Sequence, residues 1–184
     1  ADDLAALTAK APTDTPEFKN WFSNSAITTS LEPNGKPRRL YHITPKNFDA
    51  FNVNRTDAVD PLGSESGPVI FMTDDPEYQP AAHNVGGGDG KFKQGSNVMP
   101  LYASIQNPLF VDKKSKAAER TRLNLGREWP YLYTAEDVSK LKAAGYDGVF
   151  LVDDDSPNEI VAFRPEQVKS AIGNEGTFDP TNPV

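Results

Sequence analysis

The sequence predicts an α+β fold on three observations. Short apolar strand segments come in runs, helix signals occur only early and midway, and the strict strand-helix alternation of a doubly wound sheet is missing. A length of 184 residues fits one domain with extended ends. Residues 1–14 are expected to form a lead-in, 15–172 the domain and 173–184 a polar tail.

The elements follow from local signals. Thr15-Pro16-Glu17 combines a hydroxyl N-cap, a first-turn proline and a first-turn carboxylate, which predicts a helix. Phe18, Trp21 and Phe22 then share one face and dock it on the core. Arg38 to Thr44 reads as the first strand, residues 53–68 as a loop, and Val69 to Met72 as a buried strand. Asp75-Pro76-Glu77 repeats the helix-start pattern and predicts a second helix, followed by a glycine-rich loop over 86–95. Leu101, Ala103 and Ile105 alternate with polar neighbours as a half-buried strand, which Leu109 to Val111 either continues as a hairpin or leaves after Pro108. Residues 113–127 are charged and read as exposed and partly helical. Thr134 to Asp137 resembles a capping box, with Val138, Leu141 and Ala144 on one face and Gly145 closing the helix. Three strands complete the domain: Val149 to Val152, Glu159 to Phe163, and about Gln167 to Ala171.

Composition narrows the function. Hydrophobic content of 37% and aromatic content of 10% suffice for a core. A net charge of -7 argues against a generic electrostatic grip on nucleic acid. The absence of cysteine removes thiolate nucleophiles and cysteine-based zinc sites, and two histidines without a His-Glu-x-x-His helix predict no metal. No apolar run reaches bilayer length, so a soluble chain without a membrane partner is expected.

Three stretches invite chemistry. Gly86-Gly87-Gly88-Asp89-Gly90-Lys91 resembles a phosphate loop, but Phe92 stands where the Mg²⁺-binding hydroxyl belongs and Val85 where the first glycine belongs. It reads as a flexible loop. Asp153-Asp154-Asp155 reads as a solvated turn, with a glycosidase-type carboxylate pair with Glu159 as the minor alternative. Glu159 opens a short apolar strand and His42 lies within another; taken singly, a surface carboxylate and a satisfied interior histidine are the ordinary readings.

Together they resemble something more specific. Tyr41-His42-Ile43-Thr44, Val69-Ile70-Phe71-Met72-Thr73 and Asn158-Glu159-Ile160-Val161-Ala162-Phe163 resemble, in order, the three strands of the His-Tyr-Glu ADP-ribosyltransferases. Thr15-Pro16-Glu17-Phe18, Asp74-Asp75-Pro76-Glu77, Asn97-Val98-Met99-Pro100 and Val168-Lys169-Ser170-Ala171 are similar to phrases of the members found in phage polyvalent proteins and bacterial effectors. The resemblance implies a split β-sandwich of two small antiparallel sheets with peripheral helices. It also implies transfer of ADP-ribose from NAD⁺, used as substrate, to a macromolecular acceptor, a protein before a nucleic acid. A toxin or effector of this kind would act in the cytoplasm of the producing or target cell, and a neutralising partner is a further implied possibility.

By the same resemblance, Glu159 is the carboxylate beside the nicotinamide ribose, where an anion favours a developing oxocarbenium ion. His42 holds the adenine-side ribose, the backbone of Ile43 with neighbouring Thr44 holds the nicotinamide amide, and Phe71 stacks on the nicotinamide ring. Arg55 is the expected pyrophosphate cation. Relatives carry glycine where Ile43 stands, tyrosine at Phe71, and a second stacking aromatic near Ala82, for which Tyr78 or His83 is the expected substitute. Pro157 occupies the position that is acidic in arginine-modifying relatives, so arginine specificity is not implied. Two other readings keep the fold: a nucleotide- or protein-binding module without the reaction, and an NAD⁺ glycohydrolase.

Overall fold

The computed structural model describes residues 12–44, 51, 68–77, 97–152 and 158–172. Helix α1 (Pro16–Phe22) starts as predicted, with the Thr15 hydroxyl accepting the Phe18 amide at 3.1 Å. Its Phe18, Trp21 and Phe22 close on Tyr102 and Ala171, and the Trp21 indole donates to the Glu166 carbonyl at 2.9 Å.

Seven strands follow among the described residues: β1 (Leu40–Thr44), β2 (Ile70–Thr73), β3 (Asn97–Ala103), β4 (Pro108–Val111), β5 (Gly148–Leu151), β6 (Glu159–Ala162) and β7 (Val168–Ser170). They lie in one hydrogen-bonded order, β4-β5-β6-β2-β1-β3-β7. This differs from the expected pair of small antiparallel sheets in two respects: the order is continuous, and β4 pairs with β5 in parallel. After Pro108 the chain leaves β3 instead of continuing a hairpin. A crossover containing helices α2 (Lys116–Arg122) and α3 (Ala135–Ala143) then returns it as β5, the length of connection that a parallel pair requires.

The crossover is built as its charge pattern suggests. Helix α2 has no buried residue, whereas α3 has a capping box between Thr134 and Asp137 and buries Val138 and Leu141. Ala144, expected on that face, is exposed, and Gly145 follows it at φ 93°, the left-handed conformation that glycine tolerates best. Asp75 to Glu77 form a turn in which the Glu77 amide donates to the Asp75 carboxylate at 2.9 Å. The rest of the helix predicted there, and the glycine-rich loop at 86–95, lie outside the described residues.

Strand alternation sorts the core into two faces. Ile160 and Ala162 of β6 join Leu40, Ile70, Met72, Leu101 and Phe150 on one face. Val161 and Phe163 join Val149, Leu109, Val138, Leu141, Trp129 and Tyr133 on the other. Ile160, Val161 and Ala162 are fully buried; the first two side chains contribute roughly 1.5–3 kcal/mol each to stability. β6 is therefore a central strand, and Glu159 sits at its open end.

Candidate active site

Cross-strand register places the site residues. Leu151 lies opposite Glu159, Glu159 opposite Thr73, and Thr73 opposite Tyr41. Directly opposed residues project from the same side of a sheet, so these four form one row on one face. Phe71, two positions before Thr73, belongs to the same face and packs against the cluster that holds Tyr133. Glu159 and Phe71 are thus diagonal neighbours, close enough for side chains of their length to share one cleft wall.

The backbone entering Glu159 is clamped. The Asp74 carboxylate accepts the Asn158 amide at 3.0 Å, the Asn158 side-chain amide at 2.7 Å and the Arg38 guanidinium at 2.6 Å. Arg38 is held in turn: it donates to the carbonyls of Thr28 at 3.0 Å and Thr29 at 3.1 Å and lies 5.7 Å from the centre of the Phe150 ring. The residue before Glu159 is therefore fixed by side chains from two other segments.

His42 is placed differently. Its Nδ1 lies 2.7 Å from the Phe71 carbonyl oxygen. A carbonyl only accepts, so Nδ1 carries the hydrogen, and in the neutral ring Nε2 is an acceptor. The ring also meets Phe51 edge-on at 5.0 Å between centroids. The side chain bridges β1 to β2 where their ladder, with the single registered pair Tyr41 and Thr73, has ended.

Ile43 lies just beyond that pair, opposite Val98 of β3. Pro100, opposite Tyr41, has no N–H, and its carbonyl accepts from Ala171 at 2.9 Å on the far side of β3. Tyr41 and Pro100 therefore form a non-hydrogen-bonded pair, and by alternation so do Ile43 and Val98. The backbone N–H and C=O of Ile43 accordingly face the β2 side, into the opening that His42 spans. The backbone of Thr44 pairs with Asn97 at the strand end.

Phe71 meets Tyr133 edge-on, 5.6 Å between centroids, and Tyr133 meets Trp129 at 6.3 Å. Both Tyr133 and Trp129 are buried, and neither the Tyr133 hydroxyl nor the Trp129 indole N–H has a hydrogen-bond partner. Burial pushes the Tyr133 phenol well above its ordinary value and the Glu159 carboxylate pushes it further; the nearby indole N–H opposes this without reaching hydrogen-bond geometry.

The structure thus places Glu159 and Phe71 on one face of β6 and β2, with the Ile43 backbone on neighbouring β1. His42, next to Tyr41, instead leaves β1 toward the other face and joins the site through its bond to the Phe71 carbonyl. Arg55, Tyr78 and His83, expected to contact pyrophosphate and nicotinamide, lie outside the described residues, as do Asp153 to Asp155 and Pro157. Sequence reasoning assigned no role to Arg38, Asp74, Trp129 or Tyr133. Asp74 and Asn158 are separated by 84 positions, and no spacing rule connects them. Among the described residues no group of three or more His, Asp or Glu could hold a metal ion, and no helix is long and apolar enough to cross a membrane.

No curated protein sequence and no solved structure gives a match. A family model described as ADP-ribosyltransferase in polyvalent proteins matches residues 32–178, a span that includes all seven strands. The chain belongs to this ADP-ribosyltransferase family.

Proposed function

We propose that the protein is a mono-ADP-ribosyltransferase that uses NAD⁺ as substrate, transfers ADP-ribose to a macromolecular acceptor and releases nicotinamide. The observation that carries this reading is the adjacency of β6, β2 and β1, which supply Glu159, Phe71 and His42 in neighbouring positions of one sheet. Cleavage breaks the bond between the nicotinamide nitrogen and ribose C1′, and positive charge develops on the sugar. A carboxylate at the position of Glu159 opposes that charge and accepts a ribose hydroxyl. The electron pair leaves with nicotinamide, and the acceptor's nucleophilic atom bonds to C1′ as it gives up its proton.

The other residues fit holding roles. His42 Nε2 is oriented by the Nδ1 bond to receive a hydroxyl of the adenine-side ribose. The inward-facing backbone of Ile43 offers one donor and one acceptor, the complement of a carboxamide. Phe71 offers a ring face without a hydroxyl. The narrow link between β1 and β2 also fits the two-sheet arrangement that the resemblance implies, with β4-β5-β6-β2 as one half and β1-β3-β7 as the other.

The acceptor is expected to be a protein before a nucleic acid. The test is incubation with NAD⁺ labelled in its adenylate portion, following both nicotinamide release and labelled macromolecules. Transfer that disappears in Glu159→Gln supports the reading. Release of free ADP-ribose alone identifies a glycohydrolase, and NAD⁺ binding without turnover identifies a binding module.

A further inference from the structure

A polar pair is buried beneath the proposed catalytic carboxylate. The loop between α2 and α3 is closed on Asp137, whose carboxylate accepts the Gly126 amide at 2.7 Å, the Thr134 amide at 3.1 Å and the Thr134 hydroxyl at 2.9 Å. Trp129 and Tyr133 lie between those ties, 1% and 0% exposed. Fixed at both ends, the loop presses them against the face of the sheet that carries Val161 and Phe163. Glu159 alternates with Val161 and leaves β6 on that same face.

Packing alone does not require a hydroxyl here. Phenylalanine would fill the same ring volume and keep the edge contact with Phe71, whereas a buried phenol without a partner burdens the fold. Buried orphaned donors in native proteins call for a specific explanation, and the half-buried Glu159 side chain leaves β6 on this same face.

We propose that Tyr133 is a positioning residue for Glu159: in the occupied cleft its hydroxyl donates to the carboxylate and turns it toward the reacting ribose. The inference rests on the transferase reading of Glu159. Trp129 packs edge-on against Tyr133, with ring centroids 6.3 Å apart, and so helps hold the phenol ring in place. Tyr133 and Trp129 are buried, a setting in which one charge-assisted hydrogen bond is strong enough to fix an orientation. Among the described residues, the charged groups acting on Tyr133 are Glu159 and, more weakly, Asp137.

The test combines Tyr133→Phe with a measurement that needs no turnover. In Tyr133→Phe the melting temperature should hold or rise, while kcat for nicotinamide release falls about tenfold and KM for NAD⁺ changes little. In a Glu159→Gln background the same substitution should have no further effect on residual turnover. Unchanged kcat would overturn the proposal, and so would a lowered melting temperature, because the hydroxyl would then have a structural partner. Separately, tyrosine ring-carbon NMR, with Tyr133 assigned by the Phe variant, should show it ionising at lower pH in Glu159→Gln than in the wild type. An identical titration in both would overturn the proposal whether or not NAD⁺ is consumed. A shifted titration without any NAD⁺ turnover would support the Tyr133–Glu159 coupling and refute the transferase reading instead.

Discussion

The two ends of the candidate site are held in opposite ways. Glu159 begins a central strand whose next three residues are fully buried, and the residue before it is gripped by Asp74, itself tied to Arg38. His42 sits where β1 and β2 have already parted, and one bond from its own ring to the Phe71 carbonyl spans the opening. The carboxylate end is fixed by the fold. The histidine end is an opening bridged by a side chain. A group that must oppose developing charge gains from rigidity, because no reorganisation is needed during the reaction. A group that admits a dinucleotide gains from a gap.

Breaking each end should therefore give different signatures. Glu159→Gln removes the charge while leaving β6 intact. NAD⁺ turnover should fall by roughly two to three orders of magnitude, as for other preorganised electrostatic groups, with little change in thermal stability. A stopped assay with a parallel melting scan measures both.

Asp74→Ala should separate the clamp from the chemistry. It frees Asn158 and leaves the Arg38 guanidinium, largely buried, without its carboxylate. A loss of about 2 kcal/mol in urea unfolding is expected, together with a fall of about tenfold or more in kcat from misplacement of Glu159. Asp74→Asn, which keeps one acceptor oxygen for one of the two Asn158 groups, should recover part of both. If Asp74→Ala unfolds more easily but turns over NAD⁺ normally, the clamp serves the fold alone.

At the other end, His42→Ala should raise KM for NAD⁺ about tenfold, the value of one or two lost hydrogen bonds, with a smaller change in kcat. His42→Asn is the sharper variant. Its amide nitrogen retains a donor near the position of Nδ1, so the bridge to Phe71 and the stability should largely survive while the distal contact to substrate is lost. A KM for His42→Asn equal to that of the wild type would limit His42 to closing the gap.

The smallest expected effect concerns alkali. The phenol of Tyr133 is held protonated in the folded protein, while in the unfolded chain it ionises near its ordinary value of 10.0. The unfolded state therefore releases its proton first. Stability from this group is fully present below about pH 10 and declines as pH rises above it. Urea midpoints measured across that range should fall in the wild type and fall less in Tyr133→Phe.

Much of this architecture was legible in the sequence because it depends on neighbours. The Thr15 cap, the Thr134 capping box and the short buried strands each follow from residues within one or two turns of one another. So does the order of His42, Phe71 and Glu159, since resemblance preserves order along the chain. The parallel pairing of β4 with β5 was not legible, because it depends on a crossover through two helices, and no local signal of either helix says which strand the returning chain will pair with. Asp74 sat in a run of turn-forming residues, and Tyr133 among aromatics of a loop, with no periodicity to mark either. Register sets the Asp74 carboxylate beside Asn158, and the loop tied to Asp137 brings the Tyr133 ring edge-on to Phe71.

The central claim is that the residues gathered on β6, β2 and β1 cleave NAD⁺ at the nicotinamide ribose. The most direct measurement is nicotinamide release by the wild type and by Glu159→Gln, with both proteins verified as folded by their melting curves. The account predicts release by the wild type and near-complete loss in the variant. Equal release from both would contradict it.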